Sequence, residues 1–498
     1  MKKLLMTVII AALSVSLLLN YALIFASGDG KTKQIKGDFT GDGLVTSDDA
    51  VYLLRYTLFP EAYPICDHEH TYWVTVAQST SSENGLKELY CDDCGQKLGS
   101  APIYPKVGVK FLTSLSFDSD RKVDTVSEEF KKSYAAFATA LLEKASGGES
   151  AFVSPLSVLT AMQMTANGAK GQTAEEMRRV LGGTLSTEEL NQQLFNFYEN
   201  LSSTEDARFD SANAIWFTDR ADFTVNEDFI ELVDNTFRAQ IARAPFPDPS
   251  TVDAINAWCA ENTDDMIDKI LEYDDVSWDT IMVLLNALCF DALWDEQYDE
   301  YQCRGAWFHG KEANTAVNMM YSDEGTYIIG EHETGFVKYY RGGNYAFVAL
   351  LPEERMSMED YLATLGDGRF ASLMETRKRT AVHAGLPQFE FDWSDSLVET
   401  LVDMGIVTAF TANSDLSGLG TLDDGAPLAI SDVIHKTHIE VDPSGTRAAA
   451  VTAVIVEKAT SIGPQDVPSV ILDRPFVYAI VDTATMLPVF IGCINDIG

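Results

Sequence analysis

The stretch from Ile439 to Phe476 constrains the fold of this chain more than any other. A strand-like segment leads into a single Gly445, and the residues from Thr446 onward then alternate. In an extended chain Thr446, Ala448, Ala450, Thr452, Val454 and Val456 share one face, all small and uncharged. Arg447, Ala449, Val451, Ala453, Ile455 and Glu457 share the other, which takes both charges. No proline occurs between Ser444 and Gly463, so every residue there is able to donate to a ladder. The segment can become a central strand with its first face buried. A polar stretch with Pro464 and Pro468 follows, and a second strand signal comes at Arg474-Pro475-Phe476. A link of roughly 30 residues between strand signals is unusual in a compact domain and tends to be functional.

Other short motifs appear in a fixed order upstream. They are Phe152-Val153-Ser154-Pro155-Leu156-Ser157, the run Asn167 to Met177, Asn213-Ala214-Ile215-Trp216-Phe217 and Ile255-Asn256-Ala257-Trp258 with Thr263. Leu285-Asn286-Ala287 with Phe290 and Trp294, Val317-Asn318-Met319-Met320, Leu386-Pro387-Gln388-Phe389 and His435-Lys436 continue the series. With the alternating segment as hinge and reactive-centre loop, residues 126–498 resemble the serpin family in its inhibitory, bacterial form. The resemblance implies an α+β fold with a large central sheet, helices and an exposed loop. It also implies a monomer that traps serine proteases in a covalent complex. The hinge would be Gly445, Thr446, Arg447, Ala448, Ala449, Ala450, Val451 and Thr452. The family's spacing from Gly445 places the cut bond at Ala459-Thr460, which suits elastase- or subtilisin-like proteases, with Lys458 as the alternative for trypsin-like ones. Pro443 and Ser444 stand where the family usually has acidic residues, and Arg447 where it often has glutamate. Arg447 lies on the outward face and should not block insertion, whereas Pro443 is expected to slow the first step.

An enzyme is not expected. The chain has no Gly-x-Ser-x-Gly elbow, no His-Glu-x-x-His and no phosphate loop. Ser154, Ser157 and His435 suggest a nucleophile and base, but in the family these positions form, with Asn286, a polar cluster that sets how readily the main sheet opens. The alternative to inhibition is a serpin-fold scaffold or chaperone that does not inhibit.

Periodicity supports the α+β reading. Glu128 to Lys144 has helical spacing, with Phe130, Tyr134, Phe137, Leu141 and Leu142 on one side. Val283 to Leu288, Tyr345 to Leu351 and Val477 to Gly492 read as strands. Of the seven cysteines, Cys259, Cys289, Cys303 and Cys493 lie singly and are expected in the core, with a disulfide pair among them as the alternative.

The amino-terminal region is different in kind. Met1-Lys2-Lys3 precedes an uncharged, largely apolar run from Leu4 to Ala26, so residues 1–27 read as a signal peptide or an anchor. The protein is expected to be secreted, or held at the cell surface. Within 36–64, the twelve residues Asp38 to Asp49 fit a calcium loop. Asp38, Thr40, Asp42 and Asp49 offer side-chain oxygens, Leu44 a carbonyl and Gly43 the sharp turn. This resembles one repeat of a dockerin, which normally has two, and a cohesin or cell-surface scaffold is the partner it implies. A purely structural calcium loop is the competing reading. Within 65–105, Cys66, His68 (or His70), Cys91 and Cys94 suit a tetrahedral zinc site, and a disulfide with a free thiol is the alternative in an exported chain. Residues 106–125 read as a linker. A formal charge of −39 argues against nucleic acid or an anionic membrane as partner.

Overall fold

The structure, a computed structural model, describes residues 71–77, 85–91, 97–103, 108–113 and 122–497. Within the last range, 448–466 and short breaks at 202–203, 205, 238, 247, 264–268, 278–279 and 367 are not described. The calcium-loop residues Asp38, Thr40, Asp42, Leu44 and Asp49 therefore lie outside the described residues. So do Cys66, His68, His70, Cys94, the hinge beyond Arg447, and Lys458, Ala459 and Thr460. Among the described residues no helix is long and apolar enough to cross a membrane.

The chain divides into two compact units, Met1–Pro105 and Lys106–Gly498. In the first, β1 (Thr71–Ala77), β2 (Gly85–Cys91) and β3 (Lys97–Ile103) form an antiparallel meander, with Thr71 opposite Cys91.

The second unit begins with β4 (Lys110–Phe111), α1 (Glu128–Ser146), β5 (Ala151–Val153), α2 (Pro155–Ala166), α3 (Gly171–Gly182) and α4 (Thr187–Asn200). Next come β6 (Ala207–Thr218), β7 (Phe223–Val225), α5 (Glu227–Phe237), β8 (Gln240–Ala244), α6 (Pro249–Asn262), β9 (Met282–Leu293), β10 (Cys303–His309) and β11 (Asn314–Glu324). Then follow β12 (Thr326–Ile329), β13 (Glu333–Tyr339), β14 (Tyr345–Pro352), α7 (Met358–Thr364), α8 (Arg369–Thr376), β15 (Val382–Pro387), β16 (Phe389–Ser396) and α9 (Val398–Met404). The last elements are β17 (Gly420–Leu422), β18 (Ile434–Val441), β19 (Gly445–Arg447), β20 (Ser469–Ile471), β21 (Phe476–Asp482) and β22 (Pro488–Ile494). They assemble a seven-stranded sheet, β16-β18-β19-β9-β6-β8-β4, and a six-stranded sheet, β12-β13-β14-β21-β22-β5. A four-stranded sheet, β10-β11-β15-β20, and the pair β17-β7 complete the set. The class is α+β, as the unalternated order of helix and strand signals predicts.

Local chemistry accounts for the elements that frame the site. Ser127 caps α1, its Oγ accepting the Phe130 N–H at 3.1 Å, and Gly147 ends the helix at φ 51. α1 buries Phe130, Tyr134, Phe137, Leu141 and Leu142. α2 is buried on every side, as a helix through the centre of a core must be. The largest cluster of buried residues includes side chains of α1 and α2, of β14, β21 and β22, and of β9 and β18. A second cluster brings Trp216 and Leu285 of the seven-stranded sheet together with Ile255 and Trp258 of α6.

Two differences from the sequence reading stand out. The strand expected over Val477 to Gly492 is a hairpin, because Thr483–Leu487 turns the chain. The Asp482 carboxylate accepts the Thr485 N–H at 2.9 Å there, and Met486 has φ 58. The segment read as a linker contains β4, which pairs antiparallel with β8 at the sheet edge. The Leu112 N–H donates to the Ile241 carbonyl at 2.7 Å, and the Phe111 ring meets Trp216 edge-on at 6.1 Å. Two short polar-apolar steps carry too little periodicity to be read as a strand.

Candidate functional site

β18 turns back into β19 through Asp442-Pro443-Ser444-Gly445. The Asp442 Oδ1 accepts the N–H groups of Ser444 at 2.6 Å and Gly445 at 2.9 Å, an Asx turn. The Asp442 N–H donates to the Gly445 carbonyl at 3.1 Å. Pro443 falls inside this turn, where its missing N–H costs no ladder bond, and its carbonyl accepts the Tyr298 N–H at 2.9 Å.

β19 lies between two strands. Val441 and Glu440 face Thr446 and Arg447 on one side, and Leu293 and Ala292 face Gly445 and Thr446 on the other. β18 and β9 are each antiparallel to β19, so they run parallel to one another. Beyond Arg447 the described residues place no strand between them. Only glycine fits at 445, since a Cβ there would stand 2.1 Å from the Ala292 carbonyl oxygen. Thr446 is 2% exposed, so the first residue of the uncharged face is buried, as the alternation predicts.

An aromatic and ionic group walls this end of the gap. The Thr446 Oγ1 lies 2.5 Å from the Tyr340 hydroxyl, and Tyr340 stacks on Trp294 with ring centroids 4.5 Å apart. The Trp294 Nε1–H donates to the Asp442 carbonyl at 2.9 Å, and its backbone N–H to the Ser444 carbonyl at 2.8 Å. Lys338 is buried and pairs with Glu324 at 3.0 Å, with its ammonium 4.3 Å from the centre of the Tyr298 ring and 5.5 Å from that of Trp294. A buried cation persists only when paired in this way. Sequence reasoning does not reach Asp442, Tyr298, Glu324, Lys338 or Tyr340. The Asp-Pro-Ser-Gly run is a turn signature that could have found Asp442, whereas the Lys338–Glu324 pair has no local signal.

Farther along β18 lies the expected polar cluster. The Ser154 Oγ accepts the Ser157 N–H at 3.2 Å, capping α2, and donates to the Val489 carbonyl at 2.9 Å. The Ser154 N–H donates to His435 Nε2 at 3.0 Å. An Nε2 that accepts carries no proton, so the imidazole is neutral with its hydrogen on Nδ1. Burial holds its pKa down to about 4. Two residues along, the Thr437 Oγ1 donates to the Phe152 carbonyl at 2.6 Å. The His435 and Thr437 bonds fasten β18 to the start of α2 and to β5, and the Ser154 hydroxyl ties the start of α2 to β22. Ser154, Ser157 and His435 thus come together. Asn286 lies in β9 with its backbone opposite Asn213, and its side chain is outside the described residues. The cluster is no catalytic dyad, because the Ser154 hydroxyl and His435 Nε2 both bond to backbone groups rather than to each other.

Among the single cysteines, Cys259 and Cys493 are buried, and burial pushes the Cys493 thiol up to about 12. Cys303 is free but only half-buried, because β10 is the edge of its sheet. The Cys289 side chain is outside the described residues.

The family described as Serpin (serine protease inhibitor) matches residues 132–497. Iripin-3 of Ixodes ricinus is 30% identical over 71% of this chain and 90% of its own length. An uncharacterised serpin-like protein of Thermococcus kodakarensis is 30% identical over 70% of this chain and 81% of its own. Among solved structures, the thermophilic serpin Tengpin in its native state is similar with a TM-score of 0.72 and 36% identity, covering 78% of this chain and all of Tengpin.

Proposed function

This chain belongs to the serpin family, and from that premise we propose that it inhibits serine proteases as a suicide substrate. The observation that carries the proposal is β19, a strand seated between β18 and β9 at the head of the loop. Continuing its register one residue at a time would bring Thr452 opposite His435 on β18 and Asn286 on β9. After a protease has cut the loop and formed an acyl-enzyme, the segment from Ala448 onward would enter this gap as a full strand and carry the bound protease with it. Strand addition of this kind is a known mode of loop insertion. Roughly ten new ladder bonds at about 1 kcal/mol each, with burial of the valines, would supply on the order of 10 kcal/mol, which is comparable with the stability of a whole domain.

The cut bond we assign is Ala459-Thr460, with Lys458 as the alternative, so elastase- or subtilisin-like proteases are the expected targets. Mixing with such a protease should yield a covalent complex that survives boiling in detergent. The small fragment released should begin at Thr460. A fragment beginning at Ala459 would move the specificity to trypsin-like enzymes. Cleavage without any covalent complex, across every serine protease tried, would sink the inhibitory reading and favour a scaffold or chaperone.

The amino-terminal unit is proposed as a tether. Asp38, Thr40, Asp42, Leu44 and Asp49 would hold calcium, and Cys66, His68, Cys91 and Cys94 zinc. Export, and a cohesin or cell-surface scaffold as partner, belong to the same reading. Removing residues 1–105 is expected to leave inhibition unchanged while the calcium and thiolate-bound zinc disappear from the native mass spectrum. Extending the cut through Arg121 removes β4 and should lower the melting temperature by about 1–3 °C, the scale of about 1–2 kcal/mol in a domain of this size. Equal melting of the two truncated forms would remove β4 from the functional sheet.

A further inference from the structure

The outer face of the seven-stranded sheet carries a group of donors that inhibition does not use. β16 and β18 pair in one unbroken register, from Phe389 opposite Val441 to Ser396 opposite Ile434. Phe389, Ile439 and Val441 point into the core, so by alternation Glu390, Asp392, His438 and Glu440 point outward. Asp392 stands directly opposite His438, and Glu390 opposite Glu440. His438 Nδ1 and Asp392 Oδ1 are 2.8 Å apart. One ligand atom each of Glu390, Asp392 and His438 lies within 4.8 Å of the other two.

We propose that Glu390, Asp392 and His438 bind a divalent transition-metal ion of the zinc class, with water completing its coordination. The donor set decides the class. One imidazole nitrogen with two carboxylate oxygens suits zinc and its neighbours, whereas calcium and magnesium take oxygen alone. Zinc bonds of about 2.0–2.2 Å in a tetrahedron set donor atoms about 3.3–3.5 Å apart. Side-chain rotation of the exposed Glu390 and Asp392 toward the half-buried His438 would supply that spacing above a fixed ladder. The ion would replace the hydrogen bond between His438 and Asp392, with the imidazole proton moving to Nε2. It would also relieve the repulsion between Glu390 and Asp392, which sit two residues apart on one face, and Glu390 has no ion pair among the described residues. The ion ties β16 to β18 on one side of the gap. In an inserted loop that continued the register of β19, Ala449 would stand beside His438, and a methyl group would leave the site room. Occupancy therefore stabilises the sheet without competing with insertion.

The test uses the full-length protein stripped with EDTA and titrated with zinc, because any zinc on the amino-terminal cysteines is then common to every variant. Wild type should hold one zinc equivalent more than His438→Ala in the native mass spectrum. Asp392→Asn should weaken that equivalent by at least about tenfold, the scale on which even outer partners of a metal ligand act. A zinc-dependent rise in melting temperature should be present in wild type and absent in His438→Ala, while the two proteins melt alike without metal. Millimolar calcium should not displace the ion. Equal zinc equivalents in wild type, His438→Ala and Glu390→Gln would overturn the proposal, as would a thermal shift that survives in both variants. Neither result bears on inhibition, whose stoichiometry is read separately.

Discussion

Thr446→Arg is expected to turn an inhibitor into a substrate. Thr446 is buried, with Val441 and Ala292 opposite it in the two flanking strands and the Tyr340 hydroxyl against its own. A guanidinium at this position would replace a hydroxyl whose partner is the Tyr340 phenol, and the half-buried Glu324 carboxylate is already paired with Lys338. An unpaired charge in such a place costs several kcal/mol. The variant's β19 would therefore leave the sheet before cleavage, and residue 446 would have to enter together with Ala448 onward, at a cost that is a large part of the roughly 10 kcal/mol that strand addition would supply. Each 1.4 kcal/mol added to the insertion barrier slows it about tenfold, while hydrolysis of the acyl-enzyme proceeds as before. The number of inhibitor molecules consumed per protease trapped should therefore rise by about tenfold or more, with cleaved inhibitor replacing covalent complex on a denaturing gel. Thr446→Ser, which keeps the hydroxyl and the small volume, should behave as wild type. Thermal melts of the uncleaved variants separate this effect from global damage. If Thr446→Arg still traps protease at the wild-type ratio, β19 is not the head of an inserting strand.

A second large effect is expected from pH. His435 is neutral in the folded protein, with its pKa held near 4 by burial, against an ordinary value of 6.5. Between these values the unfolded chain takes up a proton that the folded chain refuses. The contribution of His435 is therefore complete above about pH 6.5, declines as pH falls, and is gone near pH 4. Its full size is on the order of 3 kcal/mol. Protonation would also remove the acceptor for the Ser154 N–H and loosen β18 from the start of α2. His435→Gln has no proton to gain. The stability difference between the two proteins, read from unfolding rates or melting temperatures, should be constant above about pH 6.5 and should shift in favour of His435→Gln, by up to about 3 kcal/mol, as pH falls toward 4. Parallel curves across that window would show that His435 does not couple protonation to stability.

Much of the local architecture was legible in the sequence by itself. The spacing of Phe130, Tyr134, Phe137 and Leu141 predicts α1, and the apolar runs at Val283 and Tyr345 predict β9 and β14. The alternation after Gly445 predicts which side of Thr446 is buried. These signals survive without tertiary information because side-chain direction follows backbone period, which is a property of neighbouring residues. The motif order carried the family for the same reason, since each motif is short and contiguous.

What the tertiary structure alone decided is which strands stand side by side. No local pattern says that β19 separates β18 from β9, that β4 closes the far edge of the sheet, or that Val477 to Gly492 folds back on itself. None joins Lys338 to Glu324, Tyr340 to Thr446, or Asp392 to His438 across the register of two strands. Strand order and register are set by pairing and burial summed over the whole sheet. A slip of one residue would turn every side chain of β18 to the opposite face, so that His435 would leave Ser154 and His438 would enter the core. The residues at these contacts are chosen by partners far away in the chain, and only the folded molecule brings those partners together.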